Sequence, residues 1–86
     1  MKLFIEPFTI GSEDETFRKI YEEVYELTEA RAFSHAQGDV RTFNVMMEVG
    51  DVFTVLTNWC EWVGINPQEC IDLANTKNVL RGRYDV

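Results

Sequence analysis

Four carboxylates stand out as the groups in this sequence able to do chemistry together. Glu23 and Glu26 lie in YEEVYELTE (residues 21–29), and Glu48 and Asp51 lie in NVMMEVGDVFTVLTNW (residues 44–59). Each pair is three residues apart, a spacing that subtends about 60° on an α-helix and places both members on one face. Two antiparallel helices presenting ExxE and ExxD to each other would gather four acids around one point. Bare carboxylates repel one another there, whereas a hard divalent cation with oxygen ligands removes the repulsion. Mg²⁺ is the expected occupant, with Mn²⁺ as a substitute.

The setting of the second pair sharpens this reading. Projected on a helix, Val52, Val55 and Trp59 fall within about 40° of Glu48, and Asp51 lies about 60° away beside Asn44 and Asn58. The opposite side is also apolar, through Met46, Val49 and Phe53. An unpaired buried carboxylate costs several kcal/mol, a large share of the ~5–10 kcal/mol net stability of a small domain. Two plainer arrangements compete with a metal site. Acids at this spacing in EEVYELTE also describe a solvated face, and the buried acids also have Arg18, Arg31 and Arg41 as prospective ion-pair partners. Gly50, between the two acids, suits a close approach of helices or is a plain helix glycine.

The elements that must hold these groups read as three helices. Residues 1–11, with Leu3, Phe4, Ile5, Phe8 and Ile10 interrupted by Pro7 and ended by Gly11, form a short extended arm. Ser12 followed by Glu13, Asp14 and Glu15 is a helix start with capping-box spacing, opening a helix over 12–35. Phe17, Ile20, Val24 and Leu27, with Tyr21 beside them, build its apolar stripe, and Glu22, Glu26 and Glu29 form an acidic strip away from it. SHAQGD (34–39) breaks the chain, with Gly38 as C-cap and Asp39 as N-cap of a second helix over 39–63 that ends at Gly64. Asn66 and Pro67 then start a third helix over 67–81. The fold class is all-α: one antiparallel helical bundle domain over 1–86, with a four-helix bundle completed by oligomerisation.

Composition bounds the rest. At 86 residues the chain is a single domain near the lower limit at which one core offsets chain entropy, so help from a metal or a second copy is expected. A net charge of −7 repels nucleic acid and anionic membranes. The sequence offers neither a signal-peptide core nor a run of 18 apolar residues, so a cytoplasmic location is expected. Cys60 and Cys70 are too far apart for a CxxC motif and read as small apolar packing residues rather than a structural disulfide. His35, the single histidine, is read as an exposed residue of the SHAQGD break and gives no support to a Glu-x-x-His di-iron site. Trp59 and Trp62 read as core or subunit interface.

EEVYE (22–26) followed by EVGD (48–51) resembles the EExxE and ExxD signature of the MazG-like all-α nucleoside triphosphate pyrophosphohydrolases. The likeness covers residues 20–84, including VGINPQE (63–69) after the second acidic helix and KNVLRGRY (77–84) as a closing basic pattern. It implies Mg²⁺-dependent hydrolysis of a nucleoside triphosphate, ribo or deoxy, to the monophosphate and pyrophosphate. Carried onto this sequence, Glu23, Glu26, Glu48 and Asp51 would be metal ligands, and Glu22 would hold a further metal or orient the attacking water. Lys77, Asn78, Arg81 and Arg83 would contact substrate phosphates. Larger members place a helix before EExxE where this chain has residues 1–11. That departure, with the apolar outer face of residues 46–57, leads us to expect a homodimer or dimer of dimers. It also keeps open a helical nucleotide-binding or protein-interaction module without catalysis.

Overall fold

The computed structural model describes residues 11–82. The extended arm expected over 1–11 and the candidate phosphate contact Arg83 therefore lie outside the described residues, Gly11 apart. The described chain is all-α: α1 (Glu13–Ala36), α2 (Phe43–Val63) and α3 (Pro67–Leu80), with no strand among the described residues.

Helix boundaries follow local chemistry. Ser12 is extended and its hydroxyl accepts the Glu15 amide at 3.2 Å, with three acids in the first turn of α1. Gly64 closes α2 in the left-handed region (φ 80°), and the Asn66 side chain accepts the amides of Gln68 (2.8 Å) and Glu69 (3.4 Å) just before Pro67. One boundary differs from expectation. α2 starts at Phe43 under a Thr42 cap rather than at Asp39, whose carboxylate instead takes the Arg41 amide at 2.9 Å in a local turn. The Thr42 hydroxyl also meets the Ser34 hydroxyl at 2.7 Å, so this cap is tied to α1. A side-chain bond across the helices decides the start of α2, and local propensity alone does not contain it.

α1 and α2 pack as an antiparallel pair. Ser34 meets Thr42 at one end, and Phe17 stacks edge-on against Trp59 at the other, with ring centroids 5.2 Å apart. The inward seam of α1 runs through Thr16, Ile20, Glu23, Leu27, Ala30 and Ser34, at alternating steps of four and three. This alternation marks helices wrapping at a shallow angle. On α2 the matching seam is Val45, Glu48, Val52, Val55 and Trp59, joined by Asn58. The expected stripe of α1 is thus partly corrected, because Val24 and Tyr21 face outward and Glu23 takes an inward place. Gly50 serves no close approach among the described residues, since a Cβ there would meet none of their atoms within 4 Å.

Among the described residues Val55 is the one fully buried apolar side chain, while Phe43, Met46, Met47, Val49 and Phe53 stay exposed. The radius of gyration is 15.1 Å, against about 12 Å for a compact chain of this length. α3 docks far more lightly than α1 and α2 pack together. It lies over the C-terminal half of α2, where Pro67 and Ile71 line a groove together with Phe53, Leu56 and Cys60.

Candidate metal centre

Because Glu23 and Glu48 occupy seam positions on facing helices, folding brings their carboxylates together. Glu26, one turn along α1, joins them, and one carboxylate oxygen from each of the three lies within 4.8 Å of the others. Glu23 and Glu48 are half-buried and Glu26 is exposed. The inner oxygen of each half-buried acid, Oε2 of Glu23 and Oε2 of Glu48, is shielded from solvent and has no hydrogen-bond partner. A shielded, unpartnered carboxylate oxygen is costly unless something else meets it.

Electrostatics register the crowding. Burial first, then the hydrogen bond that protonated Glu23 donates to Glu26 and the charges of Glu26, Asp51 and Glu48, push the Glu23 carboxyl up to about 7. Burial is also the main cause of the rise at Glu48, followed by the charges of Glu26 and Asp51 and a hydrogen bond with Glu26. Asp51 thus stands close enough to act on both through its charge, yet it is exposed and outside the tight trio. The 60° between Glu48 and Asp51 explains the split, because one seam position admits only one of them.

Ordinary ion pairing within residues 11–82 does not relieve the cluster. Among the described residues, Arg18 pairs with Asp14 at 2.8 Å, Lys19 with Glu22 at 2.9 Å, and Arg41 with Asp39 at 3.3 Å. None of these reaches Glu23, Glu26, Glu48 or Asp51, so the ion-pair alternative fails for Arg18 and Arg41, and exposed Arg31 enters no ion pair among the described residues. Lys19 is a cation close enough to feel two of these acids. Its hydrogen bond to Glu22 is the first cause of its raised pKa, with Glu23 and Glu26 adding smaller contributions through charge. Glu22 itself therefore faces outward, beside the trio rather than in it.

The basic candidates lie on another element. Lys77 and Asn78 are near the end of α3 and Arg81 is its C-cap; Lys77 and Arg81 are exposed and Asn78 is half-buried. No ion pair among the described residues joins Lys77 or Arg81 to the acids. Asn58, to which the motif gives no role, is 3% exposed on the seam of α2, one of the most buried polar side chains in the described chain. Its position beside Asp51 in the helical projection is the signal that marks it.

The donor set suits a hard cation. Three carboxylates from two helices converge, and among the described residues two of their oxygens have no partner and no soft ligand such as Cys or His joins the group. Compared with protein-family models, curated proteins and solved structures, the chain matches none.

Proposed function

We propose that the protein hydrolyses nucleoside triphosphates to the monophosphate and pyrophosphate, using Mg²⁺ held by Glu23, Glu26 and Glu48 with Asp51 at the rim. The observation that carries this reading is the meeting of Glu23 and Glu48 in the α1–α2 seam with inner oxygens that no group among the described residues satisfies. The resemblance of EEVYE and EVGD to the MazG-like signature supplies the reaction class. Mn²⁺ would substitute.

When bound, the divalent cation supplies neutralisation of phosphate charge and a more acidic water. The chain's own residues do the rest by position. Glu23 and Glu48 fix two ligand directions from opposite helices, held by the Ser34–Thr42 and Phe17–Trp59 contacts at the two ends of the pair. The seam around them, with Ile20, Leu27, Val52 and Val55, limits water and strengthens the electrostatics of the site. Glu22, outside the trio, is suited to orient a water, and a substrate that draws Lys19 away would free it. Lys77, Asn78 and Arg81, with Arg83, would meet the phosphate tail as charge-assisted donors once α3 approaches the acids. Phosphoryl-type substitution asks mainly for such positioning and charge neutralisation.

The site works in an oligomer in this reading. The chain exposes 6820 Å², whereas a compact monomer of 10.0 kDa exposes ~5,200 Å². The excess is larger than the ~800 Å² that each partner buries in a standard interface. α3 shields only the C-terminal half of the outer α2 stripe, leaving Met46 and Val49 for a second copy that would complete a four-helix bundle. Sedimentation at micromolar concentration is expected to give a dimer or tetramer, and Met46→Glu is expected to shift it to monomer. A wild-type monomer under those conditions would overturn this part.

The reaction itself is tested by incubating the protein with Mg²⁺ and a panel of ribo- and deoxyribonucleoside triphosphates, assaying monophosphate and pyrophosphate. Formation of both products in equal amounts is expected from at least one nucleotide. Binding without turnover would move the assignment to a non-catalytic nucleotide-binding module.

A further inference from the structure

The groove between α2 and α3, about 290 Å³ in volume, is lined by apolar groups and by both cysteines of the chain. The placement follows from the turn. Cys60 is three residues before the last residue of α2, Cys70 is three residues after the first residue of α3, and Gly64, Ile65 and Asn66 fold one helix back along the other. The two thiols thus face the same groove from opposite walls, one turn from the junction. Cys60 is half-buried and Cys70 exposed, so the packing role expected for both fits Cys60 alone.

We propose that Cys60 and Cys70 form a reversible intrachain disulfide that clamps α3 onto α2 under oxidising conditions. Accessibility sets the order of events. Burial, with a smaller contribution from nearby Cys70, raises the Cys60 thiol pKa, which keeps Cys60 protonated and slow to react. Exposed Cys70 meets a small disulfide first. With oxidised glutathione, the Cys70 thiolate attacks one sulfur, a Cys70–glutathione bond forms, and one glutathione thiolate leaves. The Cys60 sulfur, losing its proton to solvent, then attacks the Cys70 sulfur and expels the second glutathione. Two protein thiols are oxidised by two electrons, and one glutathione disulfide is reduced to two thiols. The consequence falls on α3, which is otherwise lightly docked and carries Lys77, Asn78 and Arg81.

The test treats the full chain with oxidised glutathione, quenches free thiols with an alkylating agent, and reads intact mass and non-reducing electrophoresis. The wild type is expected to lose two hydrogens, retain no alkylatable thiol and migrate as a single chain, with dithiothreitol reversing the change. Cys60→Ser is expected to stop at one glutathione adduct on Cys70, and Cys70→Ser to remain largely reduced. Clamping is expected to slow amide exchange through α3 by about tenfold or more. A wild type that stops at the glutathione adduct, or links two chains, would overturn the proposal. So would α3 exchange that is unchanged after oxidation.

Discussion

Replacing Glu48 by Gln is expected to lower Mg²⁺-dependent turnover of nucleoside triphosphates by about two to three orders of magnitude, while raising the melting temperature of the metal-free protein by a few degrees. The two effects have one cause. Glu48 occupies a seam position between Val45 and Val52, its inner oxygen has no partner, and burial and neighbouring charge oppose its ionisation. Gln keeps the size and removes the charge, so it relieves repulsion in the empty cluster and deletes an anionic oxygen from the loaded one. Opposite movement of stability and activity is the mark of a residue placed for function against the needs of packing. A substitution that merely damaged the fold would lower both, and an inert surface acid would move neither. Thermal melting in EDTA beside the product assay separates the three cases. Asp51→Asn is expected to act in the same direction but less strongly on melting, because Asp51 is exposed at the rim.

Stability of the metal-free protein is expected to fall as pH rises toward neutrality, and Mg²⁺ is expected to abolish that fall. The Glu23 carboxyl is raised from an ordinary 4.5 to about 7 by burial first and by its acidic neighbours second. Across that interval the folded chain keeps a proton that the unfolded chain has released, so the unfolded state gains with each step up in pH. The loss begins near the ordinary carboxylate value and is complete once pH passes the folded one. Glu48, shifted the same way, adds to it. Asp39, held below its ordinary 3.8 first by the Arg41 amide and then by the Arg41 side chain, has its window at lower pH and does not overlap. A bound divalent cation takes the place of the proton and binds better as the carboxylates ionise. Melting temperatures from pH 5 to 8, with EDTA and with Mg²⁺, are expected to diverge as pH rises. A flat or rising profile in EDTA would contradict this description of the cluster, and Glu23→Gln is expected to flatten most of it.

Much of this arrangement is legible in the residues. Ser12, Gly64, Asn66 and Pro67 set helix ends through contacts within a few positions, and each acts where local chemistry places it. The inward place of Glu48 follows from projecting α2, because Val52, Val55 and Trp59 fix which face is covered. α1 is harder to read. Hydropathy favours Phe17, Val24 and Tyr21, but the seam is closed at its ends by small polar residues, Thr16 and Ser34, which allow the helices near one another. Once those ends are fixed, the alternation of three and four carries Glu23 inward and leaves Val24 outside. Asp39 and Thr42 are equivalent caps by type, and only the hydroxyl of Ser34, eight residues from Thr42, separates them. The scarcity of buried apolar side chains among the described residues has no local signature, since periodicity marks the outer stripe with Met46 and Val49 as a face to be covered without saying how far α3 covers it.

The central claim is that Glu23, Glu26 and Glu48 are a cation site, and calorimetric titration with Mg²⁺ at pH 7 tests it most directly. The expected result is saturable binding with release of protons to the buffer, because Glu23 is then only partly ionised, and loss of that binding in Glu48→Gln. Absence of a saturable signal, or equal binding by the variant, would contradict it.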